Sequence, residues 1–253
     1  MTVIDRHLPA TEELRALSFA ELHQLFADGI VKHGPFAGLK YPLLASIGSA
    51  LYPKLLGCYE AEIQDWVEVI CNTDYSEIVD VGCAEGFYAV GLARRISDAR
   101  VFAYDTDPEA QRMTTLMAAA NGVADRVTAR GTFAAGDITS IPVRRRGLLV
   151  CDCEGHERNI FTAETLSLFA DWDILIETHD LFDITISTNL ARLFATTHSL
   201  RTAISKDDIQ KVKTYRYPEL EGLDLRTRHS IVSEYRPSLM EWFFLTPLSK
   251  PAP

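Results

Sequence analysis

The stretch Glu77–Arg95, EIVDVGCAEGFYAVGLARR, decides the fold. Glu77 to Val81 is a short, largely apolar run that reads as a buried strand, and it stops at the turn Gly82-Cys83-Ala84-Glu85-Gly86. A helix-like segment follows, with apolar Phe87, Val90 and Leu92 and a basic end at Arg94 and Arg95. A strand that turns into a helix on two glycines lets a ligand approach bare backbone, and the helix N-terminus adds partial positive charge. The segment predicts a nucleotide-cofactor cradle.

The identity of the nucleotide follows from charge. A dinucleotide fingerprint needs three glycines as G-x-G-x-x-G, with the pyrophosphate on the helix N-terminus. Here an acid precedes G-x-x-x-G, and Asp80 and Glu85 have the wrong sign for a pyrophosphate. A ligand bearing an amino-acid ammonium and a sulfonium suits them better. The turn resembles motif I of class I S-adenosylmethionine-dependent methyltransferases. That resemblance implies cofactor contacts from Asp80, Gly82, Cys83, Ala84, Glu85 and Gly86.

The next segment agrees. Arg100 to Tyr104, RVFAY, is a second strand and ends in Asp105-Thr106-Asp107-Pro108. Asp105 lies about 20 residues beyond the turn, where a Rossmann-like fold places the acid that binds the ribose hydroxyls. Thr106 belongs to the same expected contact set. Asp107, followed by proline, reads as a helix N-cap. The bland alternative is that both acids only cap.

Composition bounds the rest. A chain of 253 residues that is 47% hydrophobic can bury one full core. With a net charge of −10 and no basic run longer than Arg144-Arg145-Arg146, a nucleic-acid substrate is disfavoured. The five cysteines are scattered and odd in number, which fits reduced thiols in a cytoplasmic protein. Cys151-x-Cys153 alone is a weak metal signal. The N-terminal sequence has no apolar signal core, and no apolar run reaches 18 residues. The expectation is a protein with neither membrane nor nucleic-acid partner, acting on a small-molecule acceptor, with a homo-oligomer left open.

Strand patterns fall at Ile78–Val81, Val101–Tyr104, Arg126–Ala129, Gly147–Cys151, Asp173–Glu177, Ser199–Ile204 and Met240–Thr246. Helix patterns lie between them near 87–96, 108–121, 159–170, 183–197 and 206–213. This alternation predicts an α/β, Rossmann-like class I methyltransferase fold: a mostly parallel seven-stranded sheet with helices on both faces. In that fold the last strand enters antiparallel, and the long polar excursion before MEWFFLT accommodates it. Residues 1–75 read differently, as an N-terminal helical cap or lid, with 76–253 as the cofactor-binding domain. Thr11–Phe26 and Tyr59–Cys71 are amphipathic helix patterns, and Ile63, Trp66, Val67 and Ile70 form one stripe. Between them HGPFAGLKYPLLASIGSALYPKLLG is punctuated by glycine and proline. Helices that simply cover the sheet edge are an equal reading for Thr11–Phe26.

A second cluster sits at two strand ends. Gly147–Cys151 runs into Asp152-Cys153-Glu154-Gly155-His156-Glu157, and Asp173–Ile176 runs into Glu177-Thr178-His179-Asp180. Ligands of open α/β sheets collect beyond the carboxyl ends of the strands. Acids crowded beside a histidine must be solvated, protonated or holding a cation. One reading is a divalent ion such as Mg²⁺, Mn²⁺ or Fe²⁺ on Asp152, Glu154, Glu177 and His179, with Asp180 orienting the imidazole. Metal-dependent O-methyltransferases of the catechol type hold Mg²⁺ in the analogous place. A second reading is metal-free acid–base chemistry by His179 or His156 with a carboxylate partner such as Asp180. A third is a set of purely structural polar ends. Asp152 also falls in the expected cofactor set.

The run Asp152 to Glu157, followed by DILIE, is similar to the D-x-E-G-x-E and hydrophobic-E pattern of FkbM-type methyltransferases. GPFAGLKYP, PKLLGCYEAEI and DVGCAEGFYAVGLA resemble that group too, so the resemblance covers roughly residues 34–180 and the closing MEWFF. It implies O-methylation of a sugar, natural product or other small hydroxylated metabolite with S-adenosylmethionine as donor. His179-Asp180 departs from the pattern. N-methylation without metal and a non-catalytic cofactor-binding module are the alternatives.

Overall fold

The structure is a computed structural model and describes residues 14–248. Three helices precede the sheet: α1 (Phe19–Leu25), α2 (Leu51–Leu56) and α3 (Gln64–Cys71). The rest runs β1 (Glu77–Val81), α4 (Phe87–Arg95), β2 (Arg100–Tyr104), α5 (Pro108–Ala120), β3 (Val127–Arg130), β4 (Gly147–Cys151) and α6 (Glu157–Ile160). It then continues β5 (Trp172–Thr178), α7 (Ile186–Phe194), β6 (His198–Ile204), α8 (Asp208–Thr214), α9 (Leu225–Val232) and β7 (Glu241–Pro247).

The strands form one seven-stranded sheet in the order β3-β2-β1-β4-β5-β7-β6. β7 is antiparallel to both neighbours, and the other pairings are parallel. The order reverses between β1 and β4, which opens a crevice at their carboxyl ends. This is the Rossmann-like arrangement expected, with the antiparallel last strand that the methyltransferase resemblance implies.

The strand alternation sets the two cores. Ile78, Leu148, Val150, Leu175, Trp242 and Phe244 face one cluster, whereas Val79, Leu149, Cys151, Ile174, Ile176 and Phe243 face the other. Helices cover both faces, so the central strands read as continuous apolar runs.

The N-terminal segment belongs to the first of these cores. Leu22, Phe26, Phe36, Leu55 and Leu56 join the same cluster as Val90, Leu92 and Ile78. Phe36 lies flat against Gly91, where a Cβ would come within 2.7 Å of its ring. The expected helix over Thr11–Phe26 is reduced to α1, which a Ser18/Glu21 capping box starts; residues 11–13 lie outside those described. In the Tyr59–Cys71 pattern only α3 is helical, with Trp66, Val67 and Ile70 inward and Ile63 at its cap.

Other bounds shift for local reasons. The helix expected over 159–170 breaks into α6 and a 3-10 turn at Leu166–Phe169. Thr165 Oγ1 donates to the Ile160 carbonyl at 2.7 Å and accepts from Thr162 N at 2.9 Å, which competes with helix hydrogen bonding. Asp183 bonds Thr185 N at 3.0 Å and delays α7 to Ile186. The polar excursion before β7 contains an unexpected helix, α9, capped by Asp224. Asp107 caps α5 through Glu109 N, as expected. Among the described residues, no helix is long and apolar enough to cross a membrane.

Candidate active site

The loops after β1, β2, β4 and β5 leave one edge of the sheet. The loop 233–240 before β7 reaches the same edge, because Thr178 pairs with Glu241. Together with residues 47–59 they enclose a cleft of about 480 Å³, a size suited to a nucleotide-sized ligand.

At one end the chain builds the cradle. Gly82 N and Cys83 N donate to the Tyr104 carbonyl at 2.9 and 3.1 Å, which fixes the turn against β2. Asp105 accepts from Ala84 N at 2.9 Å and from Asp107 N at 2.9 Å. Its carboxylate therefore ties the two loops together. Phe133 meets Tyr104 edge to face with centroids 5.0 Å apart, and both line the cleft beside Asp105. Asp80 is buried on the cleft wall, and its Oδ2 has no hydrogen-bond partner among the described residues. Burial first, and then Asp152, push its carboxyl up to about 8.

Of the residues expected to contact a cofactor, Asp80, Gly82, Cys83, Ala84, Asp105, Thr106 and Asp152 line the cleft. Glu85 and Gly86 do not. Glu85 turns into the N-terminal segment, where it takes Lys54 Nζ at 2.6 Å, Ser46 Oγ at 2.9 Å, Tyr41 OH at 3.1 Å and Ile47 N at 3.1 Å. Burial opposes its charge, but Lys54 outweighs that and holds the carboxyl below its ordinary range. The charge argument that placed Glu85 on a ligand omitted Lys54, which already neutralises it. Gly86 sits at φ 98° against Thr114 and opens α4.

At the other end lies the acid cluster. His179 is 2% exposed, and its Nδ1 bonds Glu157 Oε1 at 2.8 Å. Burial works against the Glu157 carboxylate, yet His179 outweighs it and keeps that carboxyl below its usual range. Glu157 is thus the acceptor and Nδ1 carries the proton. The other ring nitrogen, Nε2, has no hydrogen bond among the described residues. It faces Asp152 Oδ1 at 3.4 Å, Glu154 Oε2 at 3.7 Å and Glu177 Oε2 at 3.7 Å. These gaps exceed the roughly 2.7–2.9 Å of a charge-assisted N–H···O bond.

Asp180, expected to orient the imidazole, does something else. It accepts from Ser187 N at 2.8 Å and Ser187 Oγ at 2.6 Å and so anchors the first turn of α7. Glu157 orients His179 instead, because the turn after Gly155 folds it under the ring. His156 is exposed on the cleft rim, with Nδ1 on Asn159 Nδ2 at 3.0 Å.

Sequence reasoning missed Arg236 and Glu60. Arg236 bonds Glu177, Glu60 at 2.8 Å and Glu234 at 2.7 Å, and Tyr88 donates to Glu60. Glu60, Asp152 and Glu177 offer oxygens within 4.8 Å of one another, and the same spacing holds for a carboxylate oxygen each of Asp152 and Glu154 with a ring nitrogen of His179. Glu60 and Glu177 of the first group hold the Arg236 guanidinium. Asp152 and Glu154 of the second have no lysine or arginine partner among the described residues. Burial, followed by Asp152, pushes Glu177 well up, while burial drives Glu60 up to about 7 against the pull of Arg236.

The four non-glycine residues at positive φ among those described are Glu60, Ala84, Glu154 and Tyr235. Ala84, Glu154 and Tyr235 line the cleft, and Glu60 is bound to its Arg236. Backbone strain of this kind, about 1–3 kcal/mol each, concentrates where a fold holds functional groups in place.

No family model matches the chain, and no curated protein matches it. Among solved structures it is similar to a precorrin 8W decarboxylase of Methanobacterium thermoautotrophicum at 18% identity and TM-score 0.49, covering 72% of this chain and 88% of that one. A putative O-methyltransferase from Klebsiella pneumoniae aligns at 11% identity and TM-score 0.48, over 74% of this chain and 80% of that one. An S-adenosylmethionine-dependent methyltransferase of Geobacter sulfurreducens, bound to S-adenosyl-L-homocysteine, aligns at 17% and 0.45, over 73% and 90%. Likeness at this level says nothing about what this chain does.

Proposed function

We propose that this chain is an S-adenosylmethionine-dependent methyltransferase that methylates an oxygen of a small hydroxylated molecule. The observation that carries the reading is Asp80. Its Oδ2 is buried with no hydrogen-bond partner among the described residues, and the residue lines the cleft beside the glycine turn. A cationic ligand satisfies that oxygen, and an anionic one does not. Asp105 would accept from the ribose hydroxyls, and Tyr104 with Phe133, which line the cleft beside it, would offer an apolar wall for the base. S-adenosylmethionine supplies an activated methyl group on a sulfonium when bound.

The acid end prepares the acceptor. Alignment of the two reactants is the larger part of the task, and deprotonation of the hydroxyl is the rest. Asp152, Glu154 and His179, with Glu177 beside them, fit a divalent ion. Asp152 Oδ1, Glu154 Oε2 and Glu177 Oε2 lie 3.4–3.7 Å from Nε2 and would hold such an ion together with it. Such an ion lowers the pKa of a bound hydroxyl. Glu157 fixes the tautomer that leaves Nε2 free to ligate. Without an ion, burial lowers the imidazole pKa, but Glu157, Asp152 and Glu154 outweigh it and push the group up. Three carboxylates facing Nε2, where a general base needs only one partner, favour the metal reading over metal-free acid–base chemistry. The D-x-E-G-x-E run extends the proposal to the FkbM type, acting on a sugar or natural product.

Two measurements test this. Calorimetry should show S-adenosylhomocysteine binding, with NAD inert. Because the Asp80 carboxyl is raised to about 8, the unliganded group is protonated below that pH, and a cation must displace the proton. Affinity is then expected to climb by up to ~10-fold per pH unit towards pH 8 and level off, with proton release at pH 7. Binding of NAD alone, or affinity flat from pH 6 to 8, sinks the cradle assignment. For the metal, Mn²⁺ titration followed by paramagnetic resonance should find one ion per chain. His179→Ala should lose the ion while retaining S-adenosylhomocysteine. Full turnover in EDTA with no ion found would return the cluster to acid–base work.

A further inference from the structure

The mouth of the acid end is apolar. Leu181, Phe182 and Ile184 are 49%, 55% and 79% exposed on the loop after β5, and Tyr235 and Leu239 are 63% and 64% exposed on the loop before β7. The Thr178–Glu241 pairing makes these loops neighbours. Phe182 rests on Gly155 of the acid loop, where an added Cβ would come within 3.0 Å of it, and its ring centroid lies 6.2 Å from that of His179. On the other loop, Tyr235, Pro237 and Met240 line the cleft itself. The apolar rim is therefore continuous with the acceptor end of the site.

Among the described residues inside the rim, Arg236 is already committed to Glu60, Glu177 and Glu234 and Lys54 to Glu85, so the charges left to meet an acceptor are acids. Among the described residues no cation there is left for an anionic acceptor, because a divalent ion on Asp152, Glu154 and His179 would already be offset by the acids that hold it, and desolvation of an anion beside those acids would be unfavourable. Large exposed apolar side chains grouped at a cleft mouth mark a recognition surface. From this juxtaposition we infer that the acceptor is an uncharged amphipathic molecule, whose hydroxyl-bearing head enters the acid end while an apolar portion lies across Phe182, Tyr235 and Leu239. The inference rests on the methyl-transfer reading and narrows its substrate class.

The simplest probes are 1,2-octanediol and 1,2-propanediol, offered to the chain saturated with S-adenosylhomocysteine. Burying roughly four methylenes on the rim should make the longer diol bind about 100-fold more tightly. In calorimetry one octanediol site per chain is expected, with propanediol undetectable at the same concentrations. The double variant Phe182→Ser, Leu239→Ser should remove most of that preference. Its affinity for S-adenosylhomocysteine and its melting temperature should stay unchanged, because both residues are exposed. Equal affinity for the two diols overturns the inference, as does a preference that survives in the double variant. Sedimentation with phosphatidylcholine vesicles, abolished by the same variant, would assign the rim to a membrane surface and overturn it too. Failure to bind S-adenosylhomocysteine at the outset is a different result, and defeats the methyl-transfer reading instead.

Discussion

Gly82→Ala is expected to abolish S-adenosylhomocysteine binding and to destabilise the fold by more than about 4 kcal/mol, an exceptional loss of which a severe backbone conflict is one cause. A Cβ at Gly82 would lie 1.7 Å from the Asp152 carbonyl oxygen, and the residue sits at φ 84°. Neither problem can be relieved by rotating a side chain. The glycine is thus demanded twice, by its left-handed conformation and by the backbone leaving β4. A ligand would add a third demand. Gly136→Ala is the control, since nothing lies within 4 Å of a Cβ there. If Gly82→Ala melts within a degree or two of wild type and still binds S-adenosylhomocysteine, the close approach of the two loops is wrong.

Arg236→Met should be the next most damaging change. It leaves Glu60, Glu177 and Glu234 buried around an empty charge position, and breaking such a network costs about 3–5 kcal/mol. For a chain of this size that is a fall in melting temperature of roughly 6–20 °C. The loss should depend on pH. Glu60 and Glu177 already have raised pKa values in the fold, so their protonated forms are the tolerated ones. Stability from a raised carboxyl is present at low pH and disappears as pH rises through the folded pKa. The deficit of the variant should accordingly be small at pH 5 and large at pH 8. A deficit that grows on acidification would mean that the acids are not the partners of Arg236.

The sheet was legible because its signals are local. Five-residue apolar runs ending in glycine or acid marked β1, β2 and β4, and the spacing from the turn to Asp105 needed no tertiary knowledge. The acid cluster was legible in part, since the loops after β4 and β5 had to meet once those strands were neighbours. Which acid serves which neighbour was not. Glu85 read as a ligand contact because Lys54, 31 residues earlier, gave no sign of pairing with it. Asp180 looked like the natural partner of His179 by adjacency, whereas the fold brings in Glu157 from 22 residues away. Glu60 and Arg236 are separated by 176 residues, and nothing periodic connects them. α9 escaped notice because only Thr227, Ile231 and Val232 of it are buried, too few for an apolar stripe.

The position of Arg236 has a consequence for the order in which the protein can be made. Glu60 and Glu177 leave the ribosome long before the residue that neutralises them, and β7, which enters between β5 and β6, follows it directly. A nascent chain that stops after β6 would carry an acid cluster without its cation and an unpaired edge on β5. The acid end of the cleft therefore gains its cation and its last neighbouring strand only after the glycine turn has been made.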